Sequence, residues 1–96
     1  MPKYEAMFIL QPNLNEERKK ELYAQLDEAI TKNNGEIVNA NVWSQAKKLS
    51  YPIKKFQEGI YYLIIFKADP GAIQKLKQIY KLNENIIRLL LTKSGQ

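Results

Sequence analysis

The order of apolar segments in this 96-residue chain predicts an α+β fold with the element order β-α-β-β-α-β. Three observations carry the prediction. Two stretches, 22–30 and 73–80, place apolar residues at helical spacing. Four others, 3–10, 36–49, 60–66 and 86–93, alternate or run continuously as strands do. Residues that favour turns separate them, and no linker, repeat or low-complexity tract interrupts the series.

The first strand sets Tyr4, Ala6, Phe8 and Leu10 against Lys3, Glu5, Met7 and Ile9. Both sets become apolar toward its end, which suits a central strand. Gln11-Pro12-Asn13 stops it, because Pro12 has no amide hydrogen for a ladder. Asn13 or Asn15 caps the first helix, with Glu16 and Glu17 at the positive end of its dipole. Leu22, Leu26, Ala29 and Ile30 form its apolar stripe, and Glu16–Lys20 and Glu28–Lys32 are expected i,i+4 pairs. Asn33-Asn34-Gly35 ends it with residues that tolerate a left-handed cap.

The second strand, from Glu36, alternates imperfectly, so a bulge is expected between Trp43 and Lys47. Tyr51-Pro52-Ile53 extends it along a sheet edge. Residues 54–59 are polar enough for a hairpin loop. The run Ile60-Tyr61-Tyr62-Leu63-Ile64-Ile65-Phe66 is β-branched and aromatic throughout, an interior strand. Asp69 and Pro70 start the second helix as cap and first residue. Ile73, Leu76, Ile79 and Tyr80 face one way along it, and residues 81–85 turn into the last strand. The arrangement is a ferredoxin-like split β-α-β: a single domain over residues 1–96, with a four-stranded antiparallel sheet in order 4-1-3-2 and two helices on one face. The other face is expected to be open.

The composition excludes much chemistry. Apolar residues make up 45% and charged residues 26%, an ordinary globular balance. With neither cysteine nor histidine, the chain has no disulfide, no Cys/His zinc site, no thiol nucleophile and no His-based acid–base system. Glycines 35, 59, 71 and 95 stand singly, so no phosphate-cradling loop or dinucleotide fingerprint exists. The carboxylates at positions 16, 17, 21, 27 and 28 share one helix with its lysines, which describes a solvated face. The chain is not expected to be an enzyme or to carry a cofactor or metal. A cytoplasmic protein without a membrane span is expected, since no apolar run approaches ~18 residues.

Charge is unevenly spread. Residues 1–36 hold five bases against seven acids, a net of −2, whereas residues 37–96 hold ten bases against three acids, a net of +7. The basic two thirds point to a polyanionic partner such as nucleic acid, or to an anionic membrane surface. Tyr4, Phe8, Tyr61, Tyr62 and Phe66 on strands one and three mimic a base-stacking platform. Glu58-Gly59-Ile60-Tyr61-Tyr62 nevertheless matches the RNA-recognition-motif pattern poorly, and core filling is expected of such rings instead, with the Tyr4/Phe8 parity of the first strand under the helices. A generic single-strand RNA binder and a regulatory dimer pairing its sheet faces stand as alternatives.

Three segments narrow the choice: Lys3-Tyr4-Glu5, Lys47-Lys48-Leu49-Ser50-Tyr51-Pro52-Ile53, and Asn85 with Ile87-Arg88 running to Lys93. Together with Gly59 to Tyr62, they resemble the family of ribosomal protein six of the bacterial small subunit, in order and along essentially the whole chain. The resemblance implies a structural role without small-molecule substrate or membrane: binding central-domain small-subunit ribosomal RNA together with ribosomal protein eighteen. Carried over by position, Lys3, Lys47, Lys48, Arg88 and Lys93 are the implied RNA-facing residues. The chain departs from the family pattern at Pro2, where many members have arginine, and at Ser44-Gln45-Ala46, in place of a glycine-plus-basic stretch. It also ends at Gln96 without the long tail of some members.

Overall fold

A computed structural model describes residues 1–94, so Gly95 and Gln96 lie outside the described residues. The elements follow in the expected order: β1 (Lys3–Leu10), α1 (Glu16–Lys32), β2 (Glu36–Ile53), β3 (Phe56–Lys67), α2 (Pro70–Lys81) and β4 (Ile86–Lys93). They form one antiparallel sheet ordered β2-β3-β1-β4, the predicted order read from the other edge.

Alternation along the two central strands builds the core. Tyr4, Ala6, Phe8 and Leu10 of β1 pair with Phe66, Ile64, Tyr62 and Ile60 of β3. All eight are buried with Leu22, Leu26 and Ile30 of α1 and Leu76 and Tyr80 of α2. Ile73 packs against this cluster while partly exposed. Ile79, expected on the same stripe, is 42% exposed. One apolar face on a short helix accommodates positions 73, 76 and 80, and residue 79 lies 100° back from 80, over its edge.

Aromatic rings fill much of the core. Phe8 meets Tyr80 edge-on at 4.9 Å between centroids, and Tyr23 stacks on Tyr62 at 4.7 Å. The Tyr80 hydroxyl donates to the Leu26 carbonyl at 2.7 Å, and the Tyr62 hydroxyl donates to Asp27 Oδ1 at 2.8 Å. These bonds satisfy polar ends that burial would otherwise strip of partners. Burial pushes the Tyr62 hydroxyl well above the ordinary tyrosine range, and its bond to the Asp27 carboxylate adds to the shift. Burial and the Asp27 charge do the same to Tyr80.

Local signals act mostly as expected. Asn15 caps α1, its Oδ1 accepting from the Arg18 amide at 2.8 Å. Glu28 meets Lys32 at 3.6 Å, but Glu16 pairs with Lys19 at 3.4 Å rather than with Lys20. Both partners lie one helical turn from Glu16, and the i,i+3 pair is the one formed. The left-handed residue after α1 is Asn34, at φ 65°. Gly35 then passes so close to Ile30 that a Cβ would sit 2.6 Å from its Cγ2.

The hairpin is tighter than the sequence suggests. The expected loop over 54–59 shrinks to Lys54-Lys55, with φ of 50° and 71°, while β3 begins at Phe56. Positive φ at both central residues is the turn geometry whose twist matches paired strands. The ladder prevails although lysine gains nothing from that conformation.

Two measurements test this packing. Leu26→Ala removes a side chain at the helix–sheet junction and should cost about 2–5 kcal/mol in a denaturant titration. Stability should also fall as pH rises past ~10. The folded chain keeps Tyr62 and Tyr80 protonated where the unfolded chain releases those protons, so the stabilisation is complete below that pH and is lost above it. Tyr62→Phe should make the fall shallower when unfolding is followed between pH 8 and 11.

Candidate nucleic-acid interface

The helices cover one sheet face and leave the other to the residues of opposite parity. Lys3, Glu5, Met7 and Ile9 on β1 project there, as do Tyr61, Leu63, Ile65 and Lys67 on β3. Arg88, Leu90 and Thr92 join them from β4, opposite Ile9, Met7 and Glu5.

This face is not open along its whole length. The β2–β3 ladder breaks between Lys48 and Ile53, where Pro52 has no amide hydrogen to give. A second apolar cluster forms beside the break. Leu49 is buried with Ile9 and Ile87, and Ile53, Phe56 and Tyr61 pack around them. Ile87 is the extra residue of a bulge, since Ile9 pairs with Arg88 and Leu10 with Ile86. Gly59 makes the close approach possible: a Cβ there would lie 2.5 Å from Ile9 Cγ2.

The second cluster positions the cations at this end. Lys47 pairs with Gly59 in register, and its Nζ sits 5.2 Å from the centre of the Tyr61 ring. Arg88 Nη1 donates to the Tyr51 hydroxyl at 3.3 Å, joining β4 to the hairpin. Met7, Ile9, Tyr61, Arg88 and Leu90 line a shallow depression of about 290 Å³ between them. The expected ordered edge at Tyr51-Pro52 is thus tied to the far edge strand through Arg88.

The five residues singled out in the sequence fall into two groups. Lys47, Lys48 and Arg88 lie at the Leu10 end of β1, and Lys3 and Lys93 at its start. Six residues of extended chain, roughly 20 Å, separate the groups. Lys3, Lys47 and Arg88 project from the uncovered face. Lys48, next to Lys47 and opposite Glu58, points to the other side. Lys93 pairs with Tyr4 and shares the parity of Leu89 and Leu91, so it stands at the β4 edge on the helix side.

Lys67 belongs with Lys3, its partner in register, and continuing the alternation of the third strand past Phe66 would have found it. Among the described residues, the ion pairs are Lys19–Glu16 and Lys32–Glu28, both within α1. The sheet cations therefore carry no carboxylate partner within 4 Å among the described residues. Parity rules out the alternative of a stacking platform and agrees with the expected core. Tyr4, Phe8, Tyr62 and Phe66 are in the core, and Tyr61 is half-buried under Lys47.

The sequence profile described as Ribosomal protein S6 matches residues 3–93. The chain belongs to the ribosomal protein S6 family. It is 40% identical over 96 residues to small ribosomal subunit protein bS6 of Halalkalibacterium halodurans, each chain covered completely. With bS6 of Caldanaerobacter subterraneus subsp. tengcongensis it shares 36% over 94 residues, 98% of each chain. The crystal structure of 30S ribosomal protein S6 from Thermotoga maritima superposes with a TM-score of 0.91 at 33% identity, covering 97% of this chain and 87% of that one. The ferredoxin-like fold, the resemblance noted in the sequence and the small-subunit assignment therefore agree. As an S6 family member the chain is a structural ribosomal protein of the cytoplasm, and not an enzyme.

Gly59→Ala tests whether the second cluster depends on the close approach to Ile9. The added methyl should cost about 1–3 kcal/mol in thermal or chemical unfolding. Combining it with Ile9→Ala, which removes the clashing Cγ2, should give less destabilisation than the sum of the two single changes.

Proposed function

We propose that the chain acts as a single RNA-binding domain that holds central-domain small-subunit ribosomal RNA together with ribosomal protein eighteen. Lys3, Lys47, Lys48, Arg88 and Lys93 are its RNA-binding residues. The observation that carries the reading is the charge on the sheet. Lys3, Lys47, Lys67 and Arg88 project from the face the helices leave uncovered, and among the described residues none has a carboxylate within salt-bridge distance. Unpaired cations on a rigid sheet are ready to replace the counterions of a phosphate backbone.

The residues differ in what they can do. Arg88 offers a planar fork that can grip one phosphate through two hydrogen bonds, and its bond to Tyr51 limits its freedom beforehand. Lys47 is steadied over Tyr61 while its ammonium faces solvent. Lys48 and Lys93 lie off the uncovered face and contribute by charge to RNA that wraps past the sheet edges. The α1 lysines serve as a control, since Lys19 is engaged with Glu16 and the helix also carries Glu17, Glu21, Asp27 and Glu28.

The reading is tested by equilibrium binding to central-domain RNA, with the partner protein present, at several salt concentrations. Lys47→Gln with Lys48→Gln should weaken binding and reduce the slope of log K against log salt by roughly one to two. Arg88→Lys should weaken binding with little change in slope, because charge stays and the fork is lost. Lys19→Gln with Lys20→Gln should do neither. An equal effect at the α1 pair would make the charge a diffuse coat and remove the site.

A further inference from the structure

Helix α2 differs from α1 in charge. Across Pro70–Lys81 it carries Lys75, Lys77 and Lys81 and no acid, whereas α1 mixes five acids with four bases. Lys77 and Lys81 are four residues apart and share a face, where like charges repel. The fold adds to this repulsion. Lys54, from the hairpin tip, and Arg88, from β4, join Lys77 and Lys81 around a cleft of about 240 Å³. Four cations from three elements line it over an apolar floor that includes Ile87 and Leu89, and no carboxylate is among its lining residues.

Arg88 connects this cleft to the sheet face, because it also lines the depression with Met7, Ile9, Tyr61 and Leu90. The two surfaces are therefore continuous around the β4 edge. We infer that the Lys54–Lys77–Lys81–Arg88 cleft is a second phosphate-backbone site for RNA, taking the strand as it leaves the uncovered sheet face and passes toward α2. This inference rests on the RNA-binding reading above. It adds three residues, Lys54, Lys77 and Lys81, that neither the sequence motifs nor the uncovered face include.

An anion in the cleft would relieve repulsion that the free protein sustains, and this gives binding and stability opposite signs. Lys77→Gln with Lys81→Gln is the informative variant, because both side chains are exposed on a helix surface. Its binding to purified small-subunit ribosomal RNA, with ribosomal protein eighteen present, should weaken several-fold, and the slope of log K against log salt should fall by roughly one to two. Its melting midpoint should hold or rise, since a like-charge pair is gone. Lys77→Arg with Lys81→Arg should restore the slope. Titrations of the glutamine variant that superimpose on those of the unaltered protein, while Lys47→Gln with Lys48→Gln still loses affinity, would overturn the cleft and leave the RNA reading standing. Absence of salt-dependent binding by the unaltered protein, with ribosomal protein eighteen present, would overturn both.

Discussion

Two helices can seal one side of a four-stranded sheet, and the two-residue period of β1 and β3 then allots every side chain to one side or the other. Tyr4, Ala6, Phe8 and Leu10 go under the helices with Ile60, Tyr62, Ile64 and Phe66. Lys3, Met7, Ile9, Tyr61 and Lys67 go to the side without helices. A slip of one residue in the β1–β3 register would bury Lys3 and Glu5 and expose Phe8. The cost of burying those charges holds the register, and the register places the cations. The core and the cation-bearing face are thus two results of one alternation.

The uncovered face is a worked surface as well as an exposed one. Its far end is closed by Leu49, Ile9 and Ile87, and the cations there stand on that closure: Lys47 over Tyr61, and Arg88 against Tyr51. Gly59 is the residue on which the arrangement turns, because a side chain there would push the hairpin off Ile9. Packing sets where the charges point in the free protein, and groups held in place lose less freedom on binding a ligand.

Much of this was legible in the sequence for reasons that can be named. Leu22, Leu26 and Ile30 at helical spacing, Asn15 before two glutamates, and Asp69-Pro70 all act locally, and each appears where the local rule puts it. The strand order followed from the alternation of helices with strands. What escaped depends on contacts distant in sequence. The Leu49–Ile9–Ile87 cluster joins three strands through a broken ladder and a bulge, which no periodicity announces. The poor match to a stacking pattern and the Tyr4/Phe8 parity of the first strand already pointed the rings Tyr4, Phe8, Tyr62 and Phe66 into the core, where they lie. The five basic positions came from a family resemblance, which does not say that Lys3 and Lys47 stand at opposite ends of the sheet, or that Lys67 faces Lys3. The convergence of Lys54, Lys77 and Lys81 required the folded chain.

The central claim is that one side of the sheet meets RNA and that α1 does not. Amide chemical-shift mapping of the isotopically labelled protein, in the presence of unlabelled ribosomal protein eighteen, during titration with small-subunit ribosomal RNA tests it residue by residue. Shifts should concentrate at Lys3, Lys47, Tyr61, Lys67 and Arg88 and their strand neighbours, while the amides of Glu16–Lys32 stay in place. Shifts of equal size along α1, or shifts centred there with the sheet undisturbed, would contradict it.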